Sequence, residues 1–282
     1  MGYLLLVINT FAGLAEGIFI KKYNSKHPHG GFVFTAIISL FAAVFSLVTD
    51  KGGFQMPSEL LPYAVISGIL YCTASILTYY ALAIGSFAMT MLVLSYTIVF
   101  SIGYGVIFLH EKITVYSVIG FVLLCVSLFL TRRVSTGGSF SVKWLVYLIV
   151  SVVSSGMFSV VTRMQQIRFD SAYNNECITI ALGISAVILF VAGAFTDAKH
   201  MKEIVKYGVP YAMGAGVVNG FRNILALVIC TFLPISVSSA MGSGVKIVIS
   251  FIVSYVLFKE SFLKRQIVGV GIGATALVLL NL

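Results

Sequence analysis

Residues 101–130 read SIGYGVIFLHEKITVYSVIGFVLLCVSLFL, and residues 250–279 read SFIVSYVLFKESFLKRQIVGVGIGATALVL. An offset of 149 residues (260 − 111) aligns the two stretches and places the acidic residue Glu111 on Glu260. In each stretch a short acidic loop leads into a hydrophobic helix. An internal repeat in an apolar chain predicts two similar halves around a central site, which is the usual plan of a secondary transporter.

The composition is that of a membrane protein. Of the 282 residues, 59% are hydrophobic and 10% are charged, and the mean hydropathy is +1.05. A spanning helix needs roughly 20 apolar residues, and strand-period alternation is absent, so we predict an all-α polytopic membrane protein with about ten transmembrane helices. The apolar runs leave no room for a soluble catalytic domain. They are 3–20, 32–49, 61–83, 86–109, 114–131, 143–163, 176–196, 207–231, 235–258 and 264–282.

The repeat divides the chain into two five-helix units. We expect the first unit to span residues 1–133, a Ser/Thr/Gly-rich linker to span 134–142, and the second unit to span 143–282. Because five is an odd number, the second unit enters the membrane from the opposite side, and the repeats are inverted. Inverted repeats supply two arrangements of one cavity, each open to a different side, as alternating access requires.

The basic residues predict the orientation in the membrane. On the side of the N-terminus the loops hold four of them, Lys51, Lys112, Arg163 and Arg168. By the positive-inside rule the opposite, richer side is cytoplasmic, so that both termini lie outside. We expect the plasma membrane of a prokaryote. Because the net charge of +9 lies mainly in short loops, it indicates topology and no nucleic-acid partner. The twelve basic residues of the richer side are Lys21, Lys22, Lys26, Arg132, Arg133, Lys143, Lys199, Lys202, Lys206, Lys259, Lys264 and Arg265.

Three ionisable residues lie inside predicted spans: Glu16, Arg222 and Lys246. Such a residue costs roughly 2.5–3.5 kcal/mol on insertion scales and usually lines a cavity or a transport pathway. Their sum is one surplus positive charge, which favours an anionic substrate or a zwitterion whose ammonium group meets Glu16. Glu16 is also the candidate for proton coupling. The alternative is structural, with Glu16 at the helix end or paired with a basic group.

Polar residues accompany the three charges. Asn9 lies two helical turns before Glu16, Asn219 and Asn223 flank Arg222, and serines share the face of Lys246. Inward tyrosines of the third and fourth spans complete the set. The candidate substrate-binding residues are Glu16, Arg222, Lys246, Asn9, Asn219, Asn223, Ser243, Tyr71 and Tyr96.

Other features have structural interpretations. Glu111 and Glu260 are expected to cap the helix that follows each of them, where negative charge is favoured. The pair Gly13-xxx-Gly17 permits close helix crossing. No pair of the four cysteines has metal-ligand spacing. The loop histidines His27 and His29 are a possible metal site but have no third ligand, so we predict neither a metal nor a cofactor.

Two segments carry a family resemblance. The first contains YALA at 80–83, LHEK at 109–112 and IG at 119–120, and the second contains LFKE at 257–260 and VG at 268–269. At these residues the chain resembles the drug/metabolite transporter superfamily, in its ten-helix EamA-type branch, over two copies. The resemblance implies an exporter or exchanger of amino acids or other small metabolites. It also implies cytoplasmic termini, in conflict with the charge count.

The first helix has a more distant likeness. Leu14-Ala15-Glu16 followed by Lys21-Lys22 resembles the four-helix small multidrug resistance proteins, in which a first-helix glutamate binds both a proton and a cationic drug. That implication applies only to Glu16. The second half departs from the pattern, because it has no matching glutamate and contains two cations instead.

The predicted function is therefore secondary transport of a small polar, zwitterionic or anionic metabolite such as an amino acid. The mechanism is alternating access, with proton coupling through Glu16 as a variant. One alternative is proton-coupled multidrug efflux of lipophilic cations, and others are a channel or a scaffold. An intramembrane lipid-modifying enzyme is disfavoured, because no histidine and no clear mid-span carboxylate other than Glu16 lies in a span. The partners are a substrate and membrane lipids, and the chain acts as a monomer or a dimer.

Overall fold

The structure is a computed structural model, and its described part is almost entirely helical. It describes residues 2–27, 29–50, 53–97, 99–100, 103–104, 114–131, 142–232, 235–260 and 263–279. Within these ranges there is no β-strand. The predicted all-α fold is confirmed.

The described ranges contain ten helices of eight residues or more, one in each predicted span. They are α1 Gly2–Asn24, α2 Gly31–Thr49, α3 Leu61–Ile84, α4 Phe87–Leu94, α5 Val115–Thr131, α6 Val142–Arg168, α7 Asn174–Thr196, α8 Val209–Phe232, α9 Ile235–Phe258 and α10 Lys264–Leu279. Between α7 and α8 the chain forms a short connector. The connector contains a 3₁₀ turn at Ala198–His200, a single helical turn at Met201–Glu203 and a π-helical turn at Ile204–Gly208.

Length and composition place these helices in a membrane. In the described part of the chain, five helical stretches are long and apolar enough to cross one: Gly2–Asn24, Gly31–Thr49, Ser58–Ile84, Val142–Arg168 and Asn174–Thr196. Large apolar side chains point away from the bundle, as Phe195 does at 85% exposure. Exposing such side chains to water is unfavourable in free energy, whereas contact with the hydrocarbon of a membrane is favourable. The chain is an integral, polytopic membrane protein.

Helix packing follows a pseudo-twofold rule that exchanges α1–α5 with α6–α10. Two helix pairs join counterparts directly, α2 with α7 and α5 with α10. Two other contacts occur as matched pairs: α3 packs on α6 as α8 packs on α1, and α3 packs on α7 as α8 packs on α2. The architecture therefore has the symmetry that the repeat predicts. The division at residues 133 and 142 stays a prediction.

The symmetry is broken at one end of the bundle. Helix α1 packs against α3, whereas the matched helices α6 and α8 make at most marginal contact over their described residues. The helix ends around α1 and α3 are therefore drawn together more tightly than their counterparts.

The largest hydrophobic core lies where α1 and α3 end and α2 begins. Tyr23, Phe34 and Tyr79 are all 1% exposed or less, and the rings of Tyr23 and Phe34 stack with centroids 4.3 Å apart. Described basic residues of the predicted cytoplasmic side lie at this end: Lys21, Lys22 and Lys26 at the end of α1, and Lys199, Lys202 and Lys206 in the connector. We call it the basic end, and the core closes the bundle there.

A tight hairpin joins α3 to α4, as expected from the two residues that separate the apolar runs 61–83 and 86–109. Only Gly85 and Ser86 separate the two helices. The Ser86 hydroxyl caps α4 by accepting the amide N–H of Met89 at 3.2 Å, a standard helix N-cap. The indole of Trp144 occupies the space that a side chain at position 85 would need. Glycine is required there by close approach.

Candidate functional site

Two of the three predicted intramembrane charges form an ion pair. A guanidinium nitrogen of Arg222 on α8 donates to Glu16 Oε2 on α1. Both residues lie near the middle of their helices, and α1 and α8 pack along each other. The side chain of Glu16 is 14% exposed and that of Arg222 is 35% exposed. The pair is therefore partly accessible rather than buried in a packed interface.

Amides extend the ion pair into a network. The Asn219 amide donates to Glu16 Oε1 at 2.8 Å, so that each carboxylate oxygen has one donor. One turn along α8, the Asn223 amide donates to Asn219 Oδ1 at 3.2 Å. The network fixes the orientation of the Glu16 carboxylate, because each oxygen is held by a different side chain of α8.

Tyr71 brings the first half of the chain to the same place. It lies close enough to Glu16, Arg222 and Asn219 to interact electrostatically with all three. Its ring packs against Phe158 of α6, with centroids 5.8 Å apart. The site therefore takes residues from both halves of the chain: Glu16 and Tyr71 come from the first, and Arg222 and Asn219 come from the second.

Lys246 of α9 is the third charge of the site. It interacts electrostatically with both Arg222 and Glu16. The ammonium has no hydrogen bond or ion pair with another described residue, and Arg222 already engages Glu16. Lys246 is therefore the one basic residue of the three that the ion pair leaves without a partner among the described residues.

Two buried polar atoms have no hydrogen-bond partner among the described residues: Arg222 Nε within the pair, and Asn9 Oδ1, which lies on α1 one helical turn before Gly13. Such atoms are uncommon in proteins, because a buried unpaired donor or acceptor loses its hydration without compensation. One is a donor on a cation and the other is an acceptor. Both can take part in binding a polar ligand.

Gly13 allows Arg222 to reach Glu16. A Cβ atom at position 13 would lie 3.2 Å from Arg222 Nε and 3.3 Å from its Cζ. The guanidinium therefore crosses α1 where the helix has no side chain. The sequence analysis interprets Gly13 and Gly17 as sites of close helix crossing, but in the structure they accommodate side chains: Arg222 at Gly13, and Phe87 with Met91 at Gly17.

Two predicted residues are not placed in this network. Tyr96 is 5% exposed in a separate apolar cluster with Leu92, and its hydroxyl lies 3.2 Å from Ser127 Oγ of α5. The side chain of Ser243 lies outside the described residues. The structure thus brings together Glu16, Arg222, Lys246, Asn219, Asn223 and Tyr71, with Asn9 one helical turn from Gly13. Their role in binding stays a prediction.

Glu260 caps a helix, but not the one predicted. Its Oε1 accepts the amide N–H of Phe87 at 2.9 Å, and its Oε2 accepts the Ser254 hydroxyl. It therefore serves the first turn of α4 rather than the following helix, α10. The reason is topological, because α4 and α9 pack together at the basic end. The prediction for Glu111 lies outside the described residues.

A histidine–carboxylate cluster lies at the basic end, apart from the ion pair. His27 Nδ1 hydrogen-bonds the Glu203 carboxylate of the connector, and His200 Nδ1 lies 3.6 Å from its other oxygen. The hydrogen bond from His27 holds the pKa of the Glu203 carboxyl below its usual value. No group of three His, Cys, Asp or Glu side chains in the described part of the chain is arranged to hold a metal ion.

Comparison with known proteins supports the architecture. The family model for the EamA-like transporter family matches residues 1–133. An uncharacterized protein of Methanocaldococcus jannaschii is 26% identical over 125 residues, which cover 44% of this chain and 90% of that protein. That relative is therefore about as long as one half of this chain.

A solved structure shows the same fold over the whole length. A protein known from its crystal structure has a TM-score of 0.60 at 12% sequence identity, with 96% of each chain covered. At that identity the likeness shows the fold alone. The family match over residues 1–133 is consistent with the predicted drug/metabolite transporter superfamily.

Proposed function

We propose that this protein is a secondary transporter that binds a small carboxylate-bearing metabolite between Arg222 and Lys246. The family match indicates a membrane transporter. The substrate class rests on one observation: the unused hydrogen-bonding capacity at the site belongs mainly to cations. The Glu16 oxygens already have two donors, whereas Lys246 and Arg222 Nε have no partner among the described residues.

A carboxylate fits this capacity. Hydrogen bonds between cationic donors and carboxylates are shorter and stronger than neutral ones. A ligand carboxylate at Lys246 and Arg222 Nε would satisfy both, while Asn9 Oδ1 would accept from an ammonium or a hydroxyl. An amino acid has both groups. Lipophilic cations fit less well, because Arg222 already pairs with the Glu16 carboxylate that would attract them.

The pair also supplies a route to proton coupling. Protonation of Glu16 would remove its charge and free the Arg222 guanidinium for the substrate carboxylate. Binding would then be tighter at low pH, and the proton and the anion would move together. If instead an ammonium group of the substrate binds ionised Glu16, binding would be tighter at high pH. Neither coupling scheme determines the direction of transport.

Thermal shift of the purified protein against amino acids, organic anions and lipophilic cations tests the proposal. A ligand at 100 times its Kd stabilises the folded state by about 2.7 kcal/mol. We expect stabilisation by a carboxylate that is lost in Arg222→Gln and Lys246→Gln and kept in the matched controls Arg168→Gln and Lys22→Gln, which change exposed residues. Stabilisation by cations alone would contradict the assignment. Repeating the titration across pH separates the two coupling schemes.

A further inference from the structure

We propose that the start of α4 is a gate that closes the Glu16 site from the basic end, and that Lys21 and Glu260 latch it. This inference rests on the proposed function, since a gate is useful only if the site admits a substrate. The gate consists of Phe87, Met91 and Phe258 packed on Gly17. The latch consists of Lys21 and Glu260.

The gate begins one residue beyond Glu16 on α1. Gly17 faces α4 so closely that an added Cβ would lie 2.5 Å from Met91 Cε and 3.1 Å from the Phe87 ring. Phe87 is completely buried, and its ring meets that of Phe258 with centroids 5.3 Å apart. Side chains of α1, α4 and α9 therefore form an apolar layer between Glu16 and the basic end. The layer joins both halves of the molecule.

Lys21 secures one side of the hairpin behind this layer. It lies one helical turn beyond Gly17, and its Nζ donates to the carbonyl oxygens of Leu82 at 2.6 Å and of Gly85 at 2.7 Å. The last carbonyls of a helix have no intrahelical partner and carry the negative end of the helix dipole. A lysine ammonium is well suited to hold the end of α3 in this position.

Glu260 secures the other side. It accepts the N–H of Phe87, which is the first residue of α4, where the helix dipole favours a negative charge. Ser254 donates to its other oxygen. Lys21 and Glu260 also attract each other electrostatically across the hairpin. The gate residue Phe87 is thus held by a carboxylate from the second half, while the hairpin before it is held by a lysine from the first half.

The broken symmetry of the bundle indicates that this end is the closed one. Asn24 adds a bond between the ends of α1 and α3, since its amide donates to the Tyr79 carbonyl at 3.1 Å. The matched helices α6 and α8 lack comparable packing over their described residues. In an inverted repeat, a closed end and a looser equivalent end are the expected form of one alternating-access state.

Alkylation of a buried cysteine tests the gate without any substrate. Ser95, 4% exposed, lies one turn beyond Met91 on the same face of α4. In a background without the four native cysteines, Ser95→Cys is exposed to a membrane-impermeant maleimide from the face with the basic loops. Lys21→Met, which loses a charged hydrogen bond, should raise the labelling rate about tenfold. Lys22→Met, which changes the adjacent exposed lysine, should not.

Ser254→Ala is the milder second variant and should raise the rate by a smaller factor, so the test does not depend on how Lys21→Met folds. Unchanged labelling in both latch variants, or an equal rise in Lys22→Met, would overturn the gate. The two proposals fail separately. Latch-dependent labelling without stabilisation by any carboxylate supports the gate and refutes the substrate class, and carboxylate binding with unchanged labelling refutes the gate alone.

Discussion

At the scale of single residues, the site depends on one missing side chain. Arg222 reaches Glu16 across Gly13, and the carboxylate is then held from two directions by Arg222 and Asn219. The charges are visible in the sequence, because ionisable residues inside apolar runs are rare and usually functional. Their pairing is not visible, because Glu16 and Arg222 are 206 residues apart. Neither is the role of Gly13, whose spacing to Gly17 also fits ordinary helix crossing.

We expect Gly13→Ala to weaken substrate binding while leaving the fold intact. The new methyl would lie 3.2–3.3 Å from the guanidinium, which must shift and lose alignment with Glu16. The loss of one charged hydrogen bond corresponds to a roughly tenfold rise in Kd. Titration of the purified variant with the carboxylate found by thermal shift measures this. Gly183→Ala is the matched control, because a methyl group added at position 183 meets open space. An unchanged Kd in Gly13→Ala would show that the close approach to Gly13 does not position Arg222.

At the scale of elements, the sequence predicts the helices and misses how their ends are joined. Helical spans and the short α3–α4 hairpin follow from apolar run lengths, because a membrane leaves few other backbone solutions. Lys21 has a role that the sequence does not predict. The sequence analysis uses it only as a loop lysine that indicates topology, but in the structure it also caps the end of α3. Glu260 caps α4 from a distant part of the chain. Such contacts join residues far apart in sequence, so local patterns do not contain them.

The connector before α8 offers a test of another such contact. Glu203 binds His27 across the end of the bundle, and this lowers the pKa of the carboxyl from its ordinary 4.5. A carboxyl whose folded pKa is depressed stabilises the fold above its unfolded pKa, and the effect is lost as pH falls through the folded pKa. Glu203→Gln should therefore lower the Tm at pH 7, with the difference from wild type shrinking below about pH 4.5.

The measurement is thermal unfolding of both proteins in detergent between pH 7 and pH 3.5. Glu59→Gln serves as the control, because Glu59 lies at the opposite end of the bundle. Its carboxylate is exposed and makes only a long ion pair with Arg168, with 3.8 Å between the charged atoms. A Tm difference for Glu203→Gln that stays constant over this range would mean that the carboxylate charge contributes nothing to the contact with His27.

At the scale of the whole molecule, scaffold and charge obey different symmetries. The packing of the helices repeats between the two halves, as the 149-residue offset in the sequence predicts. The charges do not repeat: Glu16 comes from the first half, whereas both cations, Arg222 and Lys246, come from the second. A symmetric scaffold can open its cavity to either side of the membrane at similar energy. Because the charged site is single, the substrate meets the same side chains whichever side is open. Sequence predicts both properties, but only packing shows which end is closed.

The basic loop residues of the sequence predict which side of the membrane the basic end faces. Because the loops of that side hold twelve basic residues in the sequence and the opposite loops hold four, the positive-inside rule predicts that the basic end faces the cytoplasm and that both termini lie outside. In a cysteine-free background, Ser25→Cys marks the basic end and Gln55→Cys marks the opposite end, and both positions are exposed. In intact cells an impermeant maleimide should label Gln55→Cys at once and Ser25→Cys only after permeabilisation. The reverse pattern would place both termini in the cytoplasm, as the family resemblance implies, and the gate at Phe87 would then close the site from outside.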